Sequence, residues 1–88
     1  MAYHITPYTY RKASELGVEV KPSTHAGKKI DVFRDGKKVA SIGFLGMMDY
    51  PTYLRVEGKA IAEHRRKLYH LRHHGEGIGG YYAKKLLW

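Results

Sequence analysis

Apolar and polar residues alternate on either side of Asp35-Gly36. Residues 29–33 read Lys-Ile-Asp-Val-Phe and residues 38–42 read Lys-Val-Ala-Ser-Ile. A period of two predicts strands with one buried face. Asp-Gly between two such runs is a strong hairpin signal, because both residues tolerate the positive φ of a tight type I′ turn. Val18 and Val20 flank a charged residue and offer a third strand, ahead of a turn-rich loop at 22–27.

The other segments carry helix punctuation. Thr6 stands where an N-cap is wanted, Pro7 fits the first helical position, and Gly17 supplies a left-handed stop. Between them Tyr8, Ala13 and Leu16 form a thin apolar stripe. Residues 43–58, GFLGMMDYPTYLRVEG, predict a loop or irregular crossover. Within it Asp49 is expected to cap a fixed turn at 51–53 through backbone N–H groups. Residues 59–73 predict a long helix ending at Gly75, with Ile61, Leu68 and Leu71 on one side as the core stripe and His64 between them. The glycine-rich GEGIGG then reads as a flexible joint before a last turn or two, YYAKKLLW. Its closing Leu-Leu-Trp is expected to tuck inward, Trp88 covering the buried face of the sheet. Together these elements predict one small α+β domain over residues 1–88. It has a short N-terminal helix, an antiparallel hairpin sheet of two or three strands, a long basic helix across the sheet, and a short C-terminal helix.

Composition narrows the function. An apolar content of 43% in 88 residues fits one folded unit with a modest core. The absence of cysteine excludes disulfides and thiolate zinc sites. No stretch approaches the roughly 20 apolar residues of a membrane span. The opening residues lack the pattern of a secretory signal, so a protein that is not secreted is expected. Sixteen Lys and Arg against eight Asp and Glu leave a net charge of +8. Five of those charges fall after Gly58, where seven cations meet two acids. Such a balance favours an anionic partner.

On the long helix Arg65, Tyr69 and Arg72 stand at i, i+4 and i+7, with Arg66, His70 and His73 in the neighbouring row. Arginine forks fit phosphate oxygens, and a tyrosine can stack on a base or bond a phosphate. Lys28, Lys29, Lys37 and Lys38 at the hairpin ends would extend this cationic surface. An ordinary solvated helix face, with Tyr69 packed at its margin, would look much the same. His70, His73 and His74 have a spacing that two metal-bound imidazoles can use, but Glu76 is the nearest carboxylate and comes after the glycine break. GEGIGG lacks the lysine and hydroxyl residue of a phosphate loop. A metal-dependent nuclease would need convergent carboxylates, and only Asp49 sits in a structured, aromatic setting. A non-enzymatic protein without a cofactor is therefore expected. It would bind nucleic acid, DNA foremost, through Arg65, Arg66, Tyr69, Arg72, His73 and the four lysines. The alternatives are a minor capsid or virion protein meeting acidic protein surfaces and, more remotely, a small metal-dependent nuclease.

The strings GKKIDVFRDGKKVASIG, DYPTY, RRKLYHLRHHGE and GGYYAKKLLW resemble a family of small proteins of large DNA viruses, found in viruses of algae and amoebae and in some phages. The resemblance rests on Asp49, Tyr50 and Thr52, on Arg66, Tyr69, Arg72 and His73, and on Tyr82, Ala83, Leu86, Leu87 and Trp88. The stretch HGEGIGG departs from the charged, serine-containing linker of that family. The resemblance implies a viral origin and a virion or genome association, with the virion or the host cytoplasm or nucleus as its setting. It implies no particular activity.

Overall fold

A computed structural model describes residues 3–73 and 77–88. The chain order is α1 (Pro7–Leu16), β1 (Glu19–Pro22), β2 (Lys28–Arg34), β3 (Lys37–Phe44), α2 (Tyr50–Glu57), α3 (Lys59–Arg72) and α4 (Gly77–Leu87). The three strands form one antiparallel sheet in sequence order. The α+β class and the order of elements follow the sequence pattern.

Local chemistry sets most boundaries. Thr6 caps α1 by accepting the Thr9 N–H at 3.3 Å, and Gly17 closes it at φ +72°. Asp35 and Gly36 both take positive φ, +53° and +78°, which is the twist a two-residue hairpin requires. Register then follows, with Ile30 opposite Ile42 and Val32 opposite Ala40. This pairing sends Ile30, Val32 and Ile42 into one core with Val18, Val20, Ala13 and Ile5.

Two segments differ from the sequence expectation. Residues 50–57 are helical rather than irregular, because Asp49 caps a whole helix and not just a turn. The element laid on the sheet is α4, which packs on β3 and α1, while α3 packs on α2. Ile61 and Leu71, expected in the core, are 42% and 60% exposed, and Ala62 is the residue of α3 that is buried. The reason is the better apolar stripe further on, where Tyr82, Leu86 and Leu87 stand at i, i+4 and i+5 and all are buried. Each buried leucine contributes about 1.5–3 kcal/mol. That burial offsets the roughly 1 kcal/mol that each helical glycine costs at Gly79 and Gly80. Gly43 admits this packing. Its φ is +77°, and a Cβ there would lie 2.9 Å from Leu87 Cδ1 and from Lys29 Cδ.

Candidate functional site

Asp49 organises the junction between the sheet and α2. Its Oδ1 accepts the Thr52 N–H at 3.1 Å and the Thr52 hydroxyl at 2.6 Å. Its Oδ2 accepts from Lys29 Nζ at 2.9 Å and from the Tyr3 hydroxyl at 2.6 Å. Lys29 also donates to the Met47 carbonyl. Burial opposes the charge on Asp49, but hydrogen bonds from Thr52 and Tyr3 and the Lys29 ammonium outweigh it, holding the carboxyl below its usual range. Burial, and then the bond to Asp49, push the Tyr3 phenol well above its ordinary value. This triad fixes the segment joining β3 to α2. It also removes Lys29 from the expected cationic surface: its side chain is 5% exposed and its charge is neutralised inside the protein.

Beside this junction lies a cleft of about 850 Å³ between the hairpin, α3 and α4. Arg65, Tyr69, Arg72 and His73 line one side, Lys28 and Phe44 the hairpin side, and Gly79, Ala83 and Trp88 the α4 side. Four of the residues that the helix pattern singled out therefore share one concavity with the hairpin residue Lys28, and with Lys29, whose charge Asp49, also in the lining, neutralises. Arg65 and Arg72 are exposed, and Lys28 is half-buried with its ammonium 4.2 Å from the Phe44 ring centre. Arg65 also lies over the Tyr53 ring at 5.5 Å.

The wall of the cleft is an aromatic stack. Tyr69 stacks on Trp88 at 4.5 Å and 7°, and on His73 at 4.1 Å and 22°. Two rings so close and so parallel cannot share one face of Tyr69, so both its faces are used. Base stacking on Tyr69 is thus closed, and the residue instead ties α3 to the end of α4. Trp88 is half-buried against this helix, while Leu86 and Leu87 fill the core in the place expected of it.

The remaining expected residues go elsewhere. Arg66 bonds Glu63 at 2.7 Å and lies 4.3 Å from the Tyr50 ring centre, and the Tyr50 hydroxyl donates to Glu63 at 2.5 Å. These contacts pin α3 to α2 and leave Arg66 out of the cleft. The bond from Tyr50, and next that from Arg66, hold the Glu63 carboxyl below its usual range. Lys37 and Lys38 are exposed at the hairpin turn, away from the cleft lining, and Lys38 lies 3.6 Å from the buried Asp31. Burial would raise the Asp31 carboxyl, but bonds from the Ser23 and Ser41 hydroxyls and the Thr24 N–H hold it low.

His74 and Glu76 lie outside the described residues. Among the described residues no three His, Asp or Glu side chains converge to hold a metal. Burial, against a hydrogen bond that the imidazole donates to the Trp88 backbone, keeps His70 below its ordinary value, so it gains charge only at more acidic pH. Among the described residues no helix is long and apolar enough to cross a membrane. Phe44 and its role at the cleft were not singled out by sequence; its cross-strand pairing with Lys28 is the signal that brings it there.

Comparison with protein-family models, with curated proteins and with solved structures finds no match to this chain.

Proposed function

We propose that this protein binds nucleic acid in the cleft between the hairpin, α3 and α4, with no chemical step. The observation that carries the reading is the convergence of Lys28, Arg65, Arg72 and His73, from two separate elements, on one concave surface. Arginine forks there suit phosphate oxygens, and a lysine adds a point charge from the facing wall. The net charge of +8 adds long-range attraction to any polyanion. The resemblance of DYPTY, RRKLYHLRHHGE and GGYYAKKLLW to small proteins of large DNA viruses supports a genome- or virion-associated setting.

A second reading, a virion protein that docks on another protein, is favoured by the apolar rim. Phe44 and Met47 are 65% and 66% exposed next to Leu45, at the mouth of the same cleft. Salt separates the two readings. Binding of a fluorescein-labelled oligonucleotide, followed by anisotropy across ionic strength, is expected to weaken with a slope of log K on log salt of roughly −2 to −3. That slope corresponds to about three neutralised phosphates. Absence of binding by folded protein at low salt would move the assignment to the protein-docking reading.

A further inference from the structure

The shape of the cleft bears on which form of nucleic acid it takes. Duplex readers present a convex element to the DNA, typically a helix that enters a major groove about 12 Å wide. Here the Arg65, Tyr69 and Arg72 row of α3, exposed at both arginines, lines a concavity. Lys28 and Phe44 line the same concavity from the hairpin, and Gly79, Ala83 and Trp88 complete it. A duplex cannot enter such a concavity, and its phosphates lie on a convex surface that meets only the rim.

A volume of about 850 Å³ lies within the range of roughly 300–1,000 Å³ that encloses a drug-sized ligand. That is room for one to a few nucleotides. The ring of Phe44 is the most exposed aromatic at the cleft, while Tyr69 has both faces in use. Exposed aromatics beside a cationic groove are what unpaired bases stack on, and duplex bases cannot reach them.

We propose that the cleft holds a single-stranded segment of a few nucleotides, its phosphates against Arg65, Arg72 and Lys28 and a base on Phe44. This inference rests on the nucleic-acid reading and specifies its ligand. Gly79 gives a steric test that leaves charge unchanged. It lines the cleft, and a Cβ built there meets nothing within 4 Å. Gly79→Trp therefore adds bulk at the cleft lining without a clash at its root, and Gly79→Ala serves as its control.

The experiment is a parallel titration of wild type, Gly79→Trp, Gly79→Ala and Phe44→Ala with a labelled ten-nucleotide single strand and the matching duplex. Circular dichroism first establishes that each variant is folded. The single strand is expected to bind at least tenfold more tightly than the duplex. Gly79→Trp and Phe44→Ala should each weaken single-strand binding about tenfold or more, with Gly79→Ala within threefold of wild type. Equal or tighter binding of the duplex, or unchanged binding by folded Gly79→Trp, would overturn the single-strand assignment while leaving nucleic-acid binding intact. Failure of wild type to bind either form would overturn both.

Discussion

Asp49→Ala is expected to leave the protein largely unfolded at 37 °C. The substitution strands Lys29, whose ammonium lies buried beside Asp49 at 2.9 Å, with no counter-charge. Breaking one side of a buried pair costs about 3–5 kcal/mol. Loss of the cap on the Thr52 N–H adds about 1 kcal/mol. A domain of 88 residues has roughly 4–13 kcal/mol in total, so the loss removes much or all of it. Asp49→Asn should be milder, because an amide oxygen still caps α2.

Acid should act in the same direction. The folded-state carboxyls of Asp49 and Asp31 both titrate below their unfolded value of about 3.9. Their contribution is therefore complete above about pH 5 and is lost as the pH falls through 3.9 toward the folded values. Urea unfolding followed by Trp88 fluorescence and circular dichroism checks both points. A midpoint for Asp49→Ala close to wild type would refute the central place given to the Tyr3–Asp49–Lys29 network.

Reversing the cleft charges is the other large effect. A variant carrying Lys28→Glu, Arg65→Glu and Arg72→Glu is expected to bind oligonucleotide at least a hundredfold more weakly at low salt. Each phosphate contact by a charged donor is worth about 1.5–3 kcal/mol, so three lost contacts exceed that factor comfortably. Its proper control reverses three lysines that do not line the cleft, Lys37, Lys59 and Lys67, all exposed. Both variants take the net charge from +8 to +2, so diffuse attraction falls equally in the two. A comparable loss in both would mean that overall charge, and not the cleft, governs binding. Isothermal titration or anisotropy at fixed salt measures the difference.

The parts of the fold legible in the sequence were those whose cause is local. Thr6, Pro7 and Gly17 bound α1 by their own backbone preferences, and Asp35-Gly36 closes the hairpin with no help from distant residues. Arg65, Tyr69 and Arg72 share a helix row by spacing alone, and the fold keeps them together, with His73 of the neighbouring row beside them. What could not be read depends on partners far along the chain. Lys29 looks like one of four surface lysines until Asp49, twenty residues on, buries it. Arg66 is drawn from its row by Tyr50 and Glu63, because a residue one step around the helix meets α2 instead of the cleft. α2 was hidden by weak periodicity in YPTYLRVE, although Asp49 as a cap, Pro51 in the first turn and Gly58 at the end together mark a helix. The C-terminal helix was legible, but its start was not: residues 77–80, read as part of a flexible joint because of their glycines, are the first turn of α4, their local preference overridden by the burial of Tyr82, Leu86 and Leu87.

The central claim is that nucleic acid occupies the cleft, and the most direct measurement is a residue-resolved map of binding. A ¹⁵N-labelled sample of this 88-residue protein would be titrated with a short single-stranded oligonucleotide and followed by heteronuclear NMR. The largest shifts are expected at Lys28, Phe44, Arg65, Arg72, His73 and Gly79 and at the Trp88 indole, with Lys37 and Lys38 hardly moved. Shifts concentrated at the hairpin turn, or spread evenly over the exposed lysines, would contradict the account.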